Sequence, residues 1–459
     1  MIPFCLIPIH WSLTIVLYRE ENIAIQAFLA EKTQEFGAVS GAQSIEHEGE
    51  TITMQKAGLL LKEQNEPLRK SVFEKMAEKR CADVSTLDGL FDTLVNKRTA
   101  LAKNAGFDNY RDYKFKQMGR FDYTKESCFE FHNAVEKHIV PLVKKIQQKK
   151  LSKMGKTIFS PWDTAVNAEG KAPLKPFQSG QEMLDGTIAV FEKINPEFAG
   201  FLKTMEEMKH LDLESKPGKA PGGYNYPLYE TGAPFIFMNA VGSQGDLSTM
   251  IHEGGHAVHS FLTHGLELTA FKSFPSEIAE LASMSMELLS MDYWEEFYNE
   301  TDDLKRAKKE QLQGTITILP WIAQIDAFQH WVYENHNHTA EERTKFWMEL
   351  NERFGTGLVD WTGYEETLSS SWQRQMHLFE VPFYYIEYGI AQLGAIGVWK
   401  NSRNDFKQSV ADYRTALSLG YTKSMPEVYR KAGVDFKFSS DHICMLADFV
   451  AEELEKLGA

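Results

Sequence analysis

The chain has 459 residues, long enough for a large buried core and for more than one domain. Its 64 acidic against 49 basic residues leave a net charge of -15 and a pI near 5.5, which argues against nucleic acid or anionic membrane as a partner, since both demand basic surface. Four cysteines, Cys5, Cys81, Cys128 and Cys444, lie scattered with neither a metal-type nor a paired spacing and predict reduced thiols in a cytoplasmic protein.

Met1 to Tyr18 carries no charged side chain unless His10 is protonated, but it lacks a basic leading region and a small-residue cleavage site and contains Pro3 and Pro8. Neither a signal peptide nor a membrane anchor is expected there. The alternation from Ile45 to Met54 predicts a β-hairpin. Apolar residues recur at three and four, with Lys and Glu between them, over Pro67 to Ala105, Lys125 to Met154, Asp303 to Asn335 and Ala340 to Phe354, and predict helices. The charge runs Lys144 to Lys153 and Glu206 to His210 read as solvated faces, and Lys, Pro and Gly mark breaks at Gly155 to Gln178 and Leu213 to Gly223. Phe235 to Met238 is a short apolar strand leading through Gly242, Gly245 and Asp246 into a further helix. Such a strand offers a sheet edge along which an extended peptide could bond, and Asp246 reads as the N-cap of that helix or as a support for its chemistry.

That helix contains His252-Glu-Gly-Gly-His256. At i and i+4 the two imidazoles project from one face and can share one Zn2+, with Glu253 beside them within reach of a water on the metal. A His-acid-x-x-His arises by chance in roughly 6% of chains of this composition, so the surroundings decide. Ile251, Ala257, Val258, Phe261 and Leu262 form an apolar stripe at helical spacing and favour a buried helix. Gly254 and Gly255 oppose it, each weakening a helix by roughly 1 kcal/mol relative to Ala; a close neighbour such as a passing strand or a substrate would explain them. His259 lies two turns beyond His252, too far along to complete the site, and reads as a buried, hydrogen-bonded histidine.

A hydrolytic zinc needs a third protein ligand and one open position. The metzincin pattern requires Gly at 259 and His at 262, where this chain has His259 and Leu262. A carboxylate from a following helix remains, and the segment Phe274 to Leu289 supplies Glu277, Glu280 and Glu287. Ser276 is a candidate N-cap, and Ala279, Ala282 and Ser283 are small enough to let the helices approach closely. Glu280 follows His256 by 24 residues and Glu277 by 21, the latter nearer the spacing of thermolysin-like enzymes; the residues alone leave both open.

The run from His252 to Glu287 resembles the zinc site of the thimet-type oligopeptidases, most closely their oligoendopeptidase F and Pz-peptidase branch. The resemblance extends through Pro221-Gly-Gly-Tyr224, Pro234-Phe-Ile-Phe-Met-Asn239, His377-Leu-Phe-Glu-Val-Pro-Phe-Tyr-Tyr-Ile-Glu-Tyr388, Gly106-Phe-Asp-Asn-Tyr-Arg-Asp-Tyr113 and Pro161-Trp-Asp163. It implies that Glu280, in Ala279-Glu-Leu-Ala-Ser283, is the third ligand of a single Zn2+. It further implies that His377 with one or two of Tyr384, Tyr385 and Tyr388 stabilises the oxyanion; aromatic packing in the core suits Phe379 and Phe383. The implied fold is mainly α and two-lobed, with a deep substrate cleft and a small β-strand edge beside the zinc helix. An N-terminal helical lobe is expected over 1–215 and a catalytic zinc-binding lobe over 216–459. The family usually carries further residues before the part matching Tyr18-Arg-Glu-Glu-Asn-Ile23, so the chain is expected to be N-terminally short.

The resulting expectation is a zinc-dependent endopeptidase of short peptides with Glu253 as general base, the substrate class resting on the resemblance alone. The alternatives are a catalytically silent peptide-binding relative, against which an intact Glu253 argues, and a thermolysin-like site with Glu277 as ligand. Oligomeric state is left open.

Overall fold

A computed structural model of the chain describes residues 15–216, 219 and 223–458. Most of Met1 to Tyr18, Cys5 and the Pro221-Gly222 pair lie outside the described residues. The described residues are mainly helical, with five short strands, and no helix among them is long and apolar enough to cross a membrane.

The chain forms two compact units, each assembled from separated stretches. Among the described residues, one takes Leu174–Ile316 and those from Glu387 onward; the other takes those through Pro173 together with Thr317–Ile386. The two consecutive lobes expected over 1–215 and 216–459 are therefore not where the contacts concentrate. The physical reason is the helix Thr301–Glu334, which carries the chain across the boundary at Ile316 and Thr317 without a break. No Pro/Gly-rich linker marks that change of unit.

In the unit containing the N-terminal stretch, the expected hairpin is present as β1 (Ser44–His47) and β2 (Glu50–Thr53), antiparallel with Ile45 opposite Ile52. Glu48 and Gly49 make its two-residue turn at φ 51 and 84, the left-handed pair that suits the twist of a tight hairpin. The helix Ala340–Phe354 has the expected bounds, opened by a capping box in which Thr339 and Glu342 satisfy each other's backbone N–H. Pro67 to Ala105 is two helices, Glu66–Ala82 and Val84–Asn104. Lys125 to Met154 is interrupted by a π-turn at Val135–Ile139 between Lys125–Ala134 and Val140–Lys153. The Pro161-Trp-Asp163 segment is a 3-10 turn whose Asp163 is fully buried, with Oδ1 2.7 Å from Arg69 Nη2 and Oδ2 2.6 Å from Lys156 Nζ. It clamps three separated pieces of chain.

The other unit holds a three-stranded sheet of order β3-β5-β4, built from β3 (Leu211–Glu214), β4 (Tyr224–Tyr226) and β5 (Phe235–Ala240). The strand expected at Phe235 to Met238 is thus two residues longer and central, parallel to β3 and antiparallel to β4. The sheet edge that lies beside the following helix is β4, whose Tyr224 and Tyr226 are exposed.

Candidate metal centre and active site

The chain turns from β5 into the histidine helix, Gln244–Thr263, through a capping box. Ser243 is the N-cap, its Oγ accepting from Asp246 N, and Asp246 Oδ2 accepts from the N–H groups of Ser243 and Val241, each at 2.9 Å. Asp246 is therefore the reciprocating carboxylate of the box rather than the cap, and it ties the end of the strand to the first turn of the helix. Of the apolar stripe Ile251, Ala257 and Val258 are completely buried, with Leu247 and Met250 beside them, whereas Phe261 and Leu262 are only half-buried.

The two glycines are explained by helices, not by a strand or a substrate. A Cβ on Gly255 would meet Ser283 Cα at 2.7 Å and Ala282 O at 2.9 Å, backbone atoms of the glutamate helix Ser276–Ser290; one on Gly254 would meet the Phe191 ring at 2.8 Å. Absence of a side chain at 255 is what lets the second helix lie against the first. Pro275, not Ser276, occupies the N-cap position of the glutamate helix. Tyr413 Oη and Tyr429 Oη pin that helix further by donating to the carbonyls of Ala282 and Glu277, at 2.8 and 3.0 Å.

This packing brings His252, His256 and Glu280 together, with one potential ligand atom from each lying within 4.8 Å of the others. Glu280 Oε2 stands 3.3 Å from His252 Nε2 and 3.8 Å from His256 Nε2. Two zinc bonds of about 2.0–2.1 Å meeting at a tetrahedral angle hold their donors about 3.3 Å apart, so the donor set and its spacing fit zinc. Glu277, equally buried, is not part of this group.

A second carboxylate that sequence reasoning left without a role completes the surroundings. Glu287 Oε1 accepts from His252 Nδ1 at 2.7 Å, which leaves Nε2 as the ring atom that could hold a metal. Gln311 Nε2 donates to Glu287 Oε2 at 2.6 Å, Ser248 Oγ donates to Gln311 Oε1 at 2.8 Å, and Gln244 bonds Ser248 in turn while accepting from Tyr298 Oη. Ser283 Oγ donates to Glu280 Oε2 at 3.2 Å, and His256 hydrogen-bonds the backbone of Ala279. The signal for Glu287 is its place seven residues after Glu280, two turns along the same face.

The electrostatics call for a cation. Burial alone would lower the His252 imidazolium, yet hydrogen bonds and charge from Glu280 and Glu287 hold it well above its usual value, and Glu280 is correspondingly held down to about 2. Burial dominates at His256, which is lowered to about 4 and stays neutral. Glu253 is 6% exposed; burial, reinforced by Glu280 and Glu287 and opposed by His252, raises it to about 7. Its Oε2 has no hydrogen-bond partner among the described residues, while Asn225 of β4 donates to its backbone carbonyl at 3.2 Å. A carboxyl poised near neutrality and free to take a proton suits a general base.

His259 is buried but not hydrogen-bonded as expected: it stacks on Phe274 at 3.6 Å between centroids, and neither ring nitrogen has a partner among the described residues. The remaining expected residues divide between the units. His377, Tyr384 and Tyr385 belong to the unit with the N-terminal stretch and Tyr388 to the unit with the histidine helix. His377 lies 4.8 Å from the Tyr385 ring and 5.9 Å from Tyr384, and Gln375 Nε2 donates to its Nδ1 at 2.6 Å. Burial pushes the Tyr385 phenol up to about 12, which keeps it a donor. Phe379 and Phe383 are core residues, as expected.

Comparisons with known proteins converge on one family. Oligopeptidase PepF of Bacillus subtilis is 26% identical over 287 residues, 60% of this chain and 42% of that protein. An oligoendopeptidase F homolog of Lactococcus lactis is 22% identical over 413 residues, 87% of this chain and 65% of its own length. The chain thus spans less than half the length of the first relative and about two thirds of the second. The solved structure of Pz peptidase A with an inhibitor superposes with a TM-score of 0.92 at 28% identity, covering 98% of this chain and 79% of that one. With its residues 59–445 matching the model of Peptidase family M3, across the histidine and glutamate helices alike, the chain belongs to that family.

Proposed function

We propose that the chain is a zinc-dependent oligoendopeptidase that cleaves short peptides. The observation that carries this reading is the meeting of His252, His256 and Glu280 beside a buried Glu253 raised to about 7. His252, His256 and Glu280 would hold the metal. When bound, Zn2+ would act as a Lewis acid toward water and the scissile carbonyl. Glu253 takes the proton of the attacking water and returns it to the leaving amine, a transfer its near-neutral acidity permits in both directions. Glu287 fixes the ring of His252, and the relay through Gln311 and Ser248 fixes Glu287. On the resemblance, His377 with one or two of Tyr384, Tyr385 and Tyr388 would donate to the oxygen that becomes negative. The outer edge of β4 offers backbone groups to an extended substrate. Cys81, Cys128 and Cys444 stand outside any disulfide among the described residues, which supports a reducing, cytoplasmic setting.

The test is cleavage of a quenched peptide library combined with metal analysis. Glu253→Gln should keep zinc and lose roughly 100-fold or more in turnover, whereas Glu280→Gln should lose the metal. Release of metal by Glu277→Gln instead would move the third ligand to the thermolysin-like position. Binding without cleavage by the zinc-loaded parent would make the chain a peptide-binding relative.

A further inference from the structure

A second set of donors lies in the unit that does not contain the histidine helix. Cys128 and His132 stand at i and i+4 on the helix Lys125–Ala134, and Asp326 and His330 stand at i and i+4 on Thr301–Glu334. In each pair the spacing places both side chains on one face, and the two faces meet. One potential ligand atom each from Cys128, Asp326 and His330 lies within 4.8 Å of the others. His330 Nε2 is 3.3 Å from Asp326 Oδ2, the separation found between His252 and Glu280.

We propose that Cys128, Asp326 and His330 form a second, buried site for a thiophilic divalent cation, Zn2+ foremost. A thiolate, a carboxylate and an imidazole suit zinc and disfavour calcium or magnesium, which take oxygen ligands. His132 Nε2 bonds Asp326 Oδ2 at 2.8 Å and acts as the group that orients the carboxylate. Independent support comes from valences left over: His330 is 2% exposed, yet neither of its ring nitrogens makes a hydrogen bond among the described residues, and Asp326 Oδ1 is likewise without one. Unpaired buried polar atoms cost stability, and His330 Nε2, 3.3 Å from Asp326 Oδ2 yet not hydrogen-bonded, asks for a partner that the protein atoms do not supply. Phe115, Phe129 and Phe383 wall the His330 ring, at 5.8, 4.9 and 5.4 Å between centroids. The helix relaxes into the π-turn at Val135–Ile139 just beyond His132, an irregularity that concentrates at functional sites.

The role that follows is structural. Cys128, His132, Asp326 and His330 are each at most 2% exposed, whereas His252 and His256 show about a fifth of their side-chain surface. The second ion would therefore enter as the unit folds and exchange slowly.

The experiment is metal counting on the full chain. The parent should carry about two ions; dialysis of the native protein against a chelator should remove one, and unfolding in chelator both. His252→Ala/His256→Ala should retain one ion, which separates this site from the proposed catalytic one. After cobalt substitution, the parent should show thiolate-to-cobalt charge-transfer absorption in the near ultraviolet that Cys128→Ser abolishes, because the first site has no sulfur ligand. A folded His252→Ala/His256→Ala variant without metal, or a cobalt-loaded parent without the thiolate band, overturns the proposal. Should the double variant fail to fold, the cobalt band of the parent decides alone.

Discussion

Gly255→Ala isolates the contact on which the proposed metal centre depends. The new Cβ would fall 2.7 Å from Ser283 Cα, 2.9 Å from Ala282 O and 3.1 Å from Met286 Cβ, while ordinary contact begins at 3.4 Å. The nearest obstacles are backbone, so the glutamate helix must withdraw by about 0.7 Å, the difference between 3.4 and 2.7. Zinc sites hold their ligand distances to within about 0.2 Å, so Glu280 can no longer sit at its present reach from both imidazoles. Helix propensity works in the opposite direction, favouring Ala by about 1 kcal/mol, against about 1–3 kcal/mol for overpacking. The variant should therefore melt at most a few degrees lower but lose about tenfold or more in zinc affinity, measured by competition with a fluorescent chelator. Gly254→Ala is the control: its Cβ meets the ring of Phe191, a side chain that can tilt, so melting should fall without comparable loss of metal. Parental zinc affinity in Gly255→Ala, or equal loss in both variants, would refute the reasoning that helix approach at 255 sets the ligand spacing.

Glu287→Gln should lower zinc affinity by about 10- to 100-fold while leaving the fold intact, because a neutral amide is a weaker acceptor for His252 Nδ1–H and its NH2 would face the Gln311 amide that now donates to Oε2; unchanged affinity would leave Glu287 as a mere neighbour. Turnover should rise with pH as Glu253 loses its proton: the carboxyl is raised to about 7 without a cation, and a bound divalent ion favours ionisation, so the limb in kcat/KM should fall at or below about 7. A limb clearly above that value would assign the titration to another group. Asp163→Asn breaks a buried ion pair and should cost about 3–5 kcal/mol in denaturant unfolding. Burial would raise the Asp163 acid, but Arg69 and Lys156 hold it below its ordinary value, so its contribution is present above the normal Asp range and is lost as acid takes the pH down through the folded value. A loss under about 1 kcal/mol would mean that the clamp is solvated rather than structural.

What is legible in this sequence is what a single element carries. His252, Glu253 and His256 can be read because one helical turn contains the chemistry, and Ala340–Phe354 because its cap, period and end signals agree. The assignment of Glu280 over Glu277 rests on resemblance, since position along one helix does not say which turn faces the other. For the same reason Gly254 and Gly255 read as a local weakness until their neighbours are known, and Glu287 reads as one acid among three. The unit boundary at Ile316 leaves no compositional mark because it falls within a continuous helix.

The four residues of the buried cluster carry this argument furthest. Cys128 is isolated when only cysteine spacing is considered, yet Cys-x-x-x-His and Asp-x-x-x-His are both i, i+4 pairs of metal-ligating types, on helices whose partners are separated by 194 residues in sequence. The motif at His252 is conspicuous because the two proposed ligands and the proposed base share one turn; the second cluster distributes metal-ligating types over two helices and shows itself only once they pack. Helical spacing identifies each half of such a site, and tertiary packing alone selects which halves meet. An i, i+4 pair of His, Cys, Asp or Glu on an apolar helix face is therefore worth testing against every other such pair in the chain, and here one of the two pairs that meet, Asp326 and His330, also keeps buried oxygen and nitrogen atoms without hydrogen bonds among the described residues.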